Sequence, residues 1–149
     1  MRMWHKDLID ILPQKQLCGQ WRECIAIAHN IERLGFPNHV LVNRVMEYPL
    51  SQFYYYCWEV FYTMINRGYH PACSKLQYIA KLCNAAEFRP YYFWDWHNDR
   101  YLRECLYNLE EKAICGAIPK EQWEVVYNKY KNKFDIWNGL TVSRRESYV

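Results

Sequence analysis

The chain has 149 residues, 51% hydrophobic and 23% charged, the size and balance of one globular domain, which argues against both disorder and an integral membrane protein. Its longest apolar stretch, Phe53 to Tyr62, is about half a bilayer span and contains Glu59, and the start Met1-Arg2-Met3-Trp4-His5-Lys6-Asp7 is charged where a signal peptide would be apolar. A net charge of +3 permits a polyanionic partner without requiring one, and the aromatic share of 18% is unusual: most of it is expected in the core, while tyrosine and tryptophan near arginine are also what stacks on exposed bases.

Asp7 is placed to cap a short helix through Leu12, which Pro13 stops while opening the next. From Gln14 to Leu34 the apolar Leu17, Trp21, Cys24, Ile25, Ala28 and Ile31 recur at helical spacing, and Gly35 with Pro37 supplies the stop. Gln16, Gln20 and Glu23 share a separate face of that helix, and Gly19 beside them leaves room for another group to approach. His39 to Glu47 predicts a third helix, ended by Tyr48-Pro49. Leu50 to Asn66 is apolar nearly all round, belongs at the centre of the fold and ends at Gly68. Pro71 to Asn84 turns Leu76, Ile79 and Cys83 inward together. Phe88 to His97 reads as an aromatic loop and as the boundary, inside one domain, between residues 1–84 and an extension over 85–149. Asn98 or Asp99 caps a helix reaching Cys115, Gly116 ends it, and Pro119 starts a last helix through about Lys133. Arg144-Arg145-Glu146 falls in a tail read as mobile. The expected fold is all-α, a single-domain bundle of about five to seven helices with an aromatic-rich loop.

The seven cysteines are odd in number and fall mostly within apolar helical stripes, so they are expected to be reduced and buried, as in a cytosolic protein. No Cys-x-x-Cys pair occurs and the five histidines lie far apart, so neither a metal site nor another cofactor is expected.

One stretch carries a more specific signal. The second helix holds Gln16-Leu17-Cys18-Gly19-Gln20-Trp21-Arg22-Glu23, the chain begins Met1-Arg2-Met3-Trp4-His5, a Leu12-Pro13 precedes the helix, and Arg67-Gly68-Tyr69 follows a later one. In this order they resemble the pyrimidine-dimer DNA glycosylase family, the phage-type endonuclease V and its bacterial relatives, over roughly residues 1 to 82. The resemblance implies a DNA glycosylase that is also an abasic-site lyase. It implies further that the α-amine at the chain's start attacks the sugar C1′, displaces the base and forms a Schiff base, and that Glu23 is the catalytic glutamate. In the phage branch the nucleophile is exposed by removal of the initiator methionine, which bulky Arg2 opposes here, so Met1 itself is expected to carry the amine, after deformylation in a bacterial producer.

Elementary chemistry agrees with that assignment. An α-amine has a reference pKa of about 8, against about 10.4 for lysine, so an appreciable fraction is neutral near pH 7. Arg2 and Arg22 are expected to lower it further by like-charge repulsion and to contact phosphate or the lesion pocket, while a carboxylate at Glu23 stabilises the cationic sugar and relays protons. Gln16, His5 and His39 complete the expected DNA contacts. The expected partner is damaged double-stranded DNA, bound by a cytoplasmic monomer.

Each residue also has a plainer reading. A glutamate beside a core stripe is ordinarily a solvated carboxylate, Arg22 alone a surface cation, and Gln16 and Gln20 ordinary helix formers. Trp4, Trp21 and Tyr69 read as core ahead of base-stacking residues, whereas the aromatics from Tyr91 to Trp96 divide evenly between the two. The alternative for the whole chain is a non-enzymatic helical adaptor or nucleic-acid-binding protein that kept the fold without the chemistry.

Overall fold

The computed structural model describes residues 2–33, 39–84 and 92–137, with side chains to residue 134. Among these residues there is no strand. A 3-10 helix, Lys6–Ile11, is followed by α1 (Gln14–Glu32), α2 (Val40–Met46), α3 (Leu50–Asn66), α4 (Cys73–Cys83), α5 (Asp99–Ile114), α6 (Lys120–Lys129) and α7 (Lys131–Trp137). The all-α expectation holds.

The central helix is α3, which packs on α1, α4 and the 3-10 helix. It presents buried Phe53, Tyr56, Cys57, Val60, Phe61 and Met64, so its near-continuous apolar surface has neighbours on several sides. Arg67 stops it: its backbone leaves helical geometry, Gly68 takes φ 83°, and the Tyr69 amide turns back to the Met64 carbonyl at 2.9 Å, a Schellman closure that a side chain at Gly68 would strain. The Arg67 guanidinium donates to the Leu12 carbonyl at 2.7 Å and the Asp10 carbonyl at 2.9 Å, satisfying acceptors left open at the end of the 3-10 helix. The arginine of the Arg-Gly-Tyr motif therefore ties α3 to the N-terminal segment.

Several expected boundaries move. The first cap is His5, whose Nδ1 accepts the Asp7 amide at 3.1 Å, and the element is 3-10; Asp7 stands two positions too late to be the cap. The predicted last helix divides into α6 and α7 at Tyr130, whose backbone departs from helical geometry (φ −114°, ψ 23°), with no proline or glycine to announce it. Cys73 and Cys115 are exposed rather than buried, and Cys18 is half-buried, although all seven cysteines are free thiols. Gly35, Pro37, Met1, the start of the aromatic loop (residues 88–91) and the arginine-bearing tail lie outside the described residues.

The C-terminal helices dock on the N-terminal segment. Gln122 on α6 accepts the Gln14 amide at 2.9 Å, capping α1 where Pro13 offers no side-chain acceptor. Tyr130 donates to the Asp7 carbonyl at 3.1 Å, and Lys129 pairs with Asp10 at 3.3 Å.

Candidate active site

Residues 2–4 precede the first helix and its cap and belong to no regular element, so their backbone groups have no helical or sheet partners. Side chains supply the partners. Gln20, fully buried on α1, accepts the Trp4 amide at Oε1 (2.8 Å) and donates Nε2 to the Arg2 carbonyl (3.0 Å). Tyr56 on α3 donates to the Trp4 carbonyl at 2.6 Å and lies 3.0 Å from Gln20 Oε1. Tyr101 on α5 donates to the Met3 carbonyl. Met3 and Trp4 are both buried in the core, so hydrophobic burial and four backbone hydrogen bonds fix the segment together.

The next two residues are held as firmly. His5 is 2% exposed, and with Nδ1 accepting from Asp7 its Nε2 carries the proton donated to the His97 carbonyl at 2.8 Å. Burial lowers the His5 pKa despite the nearby Asp7 carboxylate, which favours the neutral ring. The Lys6 amide donates to His97 Nδ1 at 2.9 Å, and Lys6 Nζ reaches the Tyr92 carbonyl at 2.9 Å. His97 is pushed down to about 2, by burial first and then by the charges of His5, Lys6 and Arg44; as an acceptor at Nδ1 it is the Nε2–H tautomer. His5 is thus a buried strut of the N-terminal segment, with both ring nitrogens engaged, and presents no group to solvent.

Arg2 remains exposed. Its guanidinium lies 5.0 Å from the Trp4 ring centre, and the Asn108 amide, oriented to present its oxygen, accepts from both terminal nitrogens at 3.0 and 3.1 Å. Arg22 is exposed on α1, and a Cβ placed on Gly19 would meet only Arg22 Nη2, at 3.8 Å. The surface over Gly19 is therefore open, as the helical wheel suggests. Glu23 is half-buried one turn beyond Gln20. Gln16 is half-buried at the other end of this face, beside a cavity of about 210 Å³ closed by Gly116, Ala117 and Pro119. His39 precedes α2, half-buried and with no side-chain capping bond. Gln16, Gln20 and Glu23 thus follow one another on one face of α1, Gln20 ties the Arg2 carbonyl to it, Arg22 flanks Gly19, and His39 precedes α2.

Three of the residues that hold the segment were not legible as such. Tyr56, His97 and Tyr101 bond to residues 52, 91 and 98 positions away, and nothing in a lone tyrosine or histidine announces so distant a partner. Gln20 shares a helical face with Glu23 in the sequence, but its role as a two-sided clamp on a separate segment is visible only in the fold. Trp4 and Trp21 are core residues, as expected. The aromatic stretch divides: Tyr92, Phe93 and His97 are buried while Trp94 is 71% exposed.

Against known proteins, residues 1–77 match the model of a family described as pyrimidine dimer DNA glycosylase. The chain belongs to the pyrimidine dimer DNA glycosylase family. No curated protein and no solved structure matches it. The span shared with the glycosylase family contains the N-terminal segment, all of α1 and α3, and hence Arg2, Gln20, Glu23 and Tyr56. His97, Tyr101 and Asn108, which reach the same segment, lie beyond it. DNA is the substrate of such a family, and among the described residues no helix is long and apolar enough to cross a membrane.

Proposed function

We propose that this glycosylase acts on damaged or modified pyrimidines in double-stranded DNA as a combined glycosylase and abasic-site lyase, with the α-amine of the first residue as nucleophile and Glu23 as its acid–base partner. The observation that carries the reading is the Gln20 clamp. One amide holds both the Arg2 carbonyl and the Trp4 amide, which ties residues 2–4 to the helix that bears Glu23. Glu23 stands one turn, about 4.5 Å along the helix axis, from Gln20, which supports pairing this carboxylate with the amine of the first residue.

The chemistry proceeds in balanced steps. The neutral amine attacks C1′, the bond from C1′ to the base breaks, and the base leaves with the bonding pair and takes up a proton. Ring opening, with proton transfer to the ring oxygen, gives an iminium that Glu23 stabilises electrostatically. Loss of a C2′ proton then expels the 3′ phosphate, and hydrolysis of the imine returns the free amine. C1′ is shielded in an intact stack, so a nucleotide must be extruded first, with exposed Arg2 and Arg22 on the flanking phosphates and Gln16 at the edge of the site. The protein acts as a monomer in this scheme.

Borohydride reduction on an abasic duplex tests the proposal. A covalent adduct whose peptide map places the DNA on the N-terminal residue is expected, and an uncleaved N-terminal tag should abolish it. An adduct on a lysine would remove the α-amine as nucleophile, and no adduct from a protein with a verified native N-terminus would favour a non-catalytic DNA-binding adaptor.

A further inference from the structure

Two of the side chains that hold the N-terminal segment come from outside the matched residues 1–77. Tyr101, in the first turn of α5, bonds the Met3 carbonyl. His97, two positions before α5, takes the Lys6 amide on its ring and the His5 ring on its carbonyl. Both are set in an aromatic bed: Trp96 stacks on Tyr101 with ring centres 5.9 Å apart and planes inclined by 29°, and His97 and Tyr101 are 5.0 Å apart. The bed is itself anchored, because Gln52 on α3 accepts the Phe93 amide at 2.9 Å, Tyr48 donates to Asp95 at 2.7 Å and Asn98 donates to the Asp95 carbonyl at 2.9 Å. Phe93 holds φ 53°, an uncommon conformation that these contacts sustain.

A terminal amine is a poor nucleophile if the chain behind it wanders, because the reacting geometry must be met within a fraction of an ångström. Gln20 fixes the Arg2 carbonyl and the Trp4 amide from one side. That leaves rotation about the intervening residue, and the Met3 carbonyl is the group whose direction records it. Tyr101 bonds that carbonyl, and burial keeps its phenol in the neutral, donating form by raising its pKa.

We infer that Tyr101 and His97 are positioning residues for the N-terminal nucleophile, fixing the direction in which the chain end leaves the fold, so that residues 92–101 are a working part of the active site. The inference rests on the α-amine reading above. It assigns the region beyond the matched span a role in the reaction, in contrast to an appended helical extension.

Tyr101→Phe keeps the ring and its packing and removes the donor; His97→Leu removes the acceptor for Lys6. In single-turnover borohydride trapping on an abasic duplex, each variant should form the N-terminal adduct about tenfold more slowly. Affinity for a duplex carrying a tetrahydrofuran site, which has no aldehyde, should stay within about twofold, with circular dichroism unchanged at the assay temperature. Trapping at the wild-type rate in both variants overturns the positioning role, and so does parallel loss of trapping, affinity and fold, which makes the residues merely structural. Should one variant fail to fold, the other decides. Failure of the α-amine reading is seen separately, as absence of an N-terminal adduct from the unaltered protein.

Discussion

Glu23 and the two exposed arginines illustrate how much one side chain can be asked to do at this site. Glu23 sits half-buried on α1, one turn from Gln20, which holds the backbone of residues 2 and 4. Glu23→Gln keeps the volume and removes the charge and the proton carrier. Single-turnover strand cleavage should fall by about 100-fold or more, with circular dichroism and duplex affinity nearly unchanged; wild-type cleavage would end the assignment. Arg2 and Arg22 divide the electrostatic work differently. Arg2 is oriented by Trp4 and Asn108, whereas the Arg22 guanidinium lies back beside open Gly19. If each meets one phosphate, replacing either with alanine lowers the slope of log affinity against log salt by about 0.9, read by fluorescence anisotropy across a salt series. An unaltered slope would make that arginine a surface cation without a DNA role.

Among the elements, α1 is the one whose sequence departs most from simple helix-making, since it places a glycine on the face that carries Gln16, Gln20 and Glu23. A Cβ at Gly19 meets nothing closer than 3.8 Å, so Gly19→Ala should stabilise the protein by about 0.5–1 kcal/mol through helix propensity and lost unfolded-state entropy. Urea unfolding measures this; destabilisation would show that the open surface is not open. The same helix shows how far the sequence could be read. Its apolar stripe and the Gln-Glu face follow from a single periodicity, and α3 has the ends that Pro49 and Gly68 dictate. The break at Tyr130 between α6 and α7 lacked such punctuation, and the first cap was misplaced because His5 accepts a backbone amide as readily as Asp7 could have. The candidate site divided along the same line. Local order and motif single out Glu23, Arg2 and Arg22 as candidates, while Tyr56, His97 and Tyr101 act through contacts 52 to 98 residues apart in the chain, which only tertiary packing creates. His5 was misread because its polar sequence neighbours do not reveal that the fold consumes both its nitrogens.

At the scale of the whole molecule, the N-terminal segment, α3 and the 92–97 turn meet around two buried histidines, and that joint makes stability depend on pH in a particular window. His97 is held down to about 2, by burial before the charges of His5, Lys6 and Arg44, and His5 is lowered as well, again chiefly by burial. An unfolded histidine titrates at about 6.5. Below that pH the unfolded chain takes up a proton that the folded joint refuses, so stability is full above about 6.5 and falls as pH falls, levelling only near the folded value. For His97 alone the loss at pH 5 is about 2 kcal/mol, at 1.36 kcal/mol for each unit below the unfolded pKa. The exposed carboxylates with lowered pKa, Asp95 and Asp99, act in the same direction but only as pH falls through the carboxylate range near 4, so the interval from 6.5 to 5 isolates the histidines. Urea unfolding between pH 7.5 and 5 should show this decline in the unaltered protein and a shallower one in His97→Leu. An equally steep decline in the variant would place the acid sensitivity elsewhere. Because His97 Nδ1 accepts the Lys6 amide only while unprotonated, the ring that refuses the proton is also the one that holds the segment behind the proposed nucleophile, so the acid sensitivity and the fixing of that segment share one side chain.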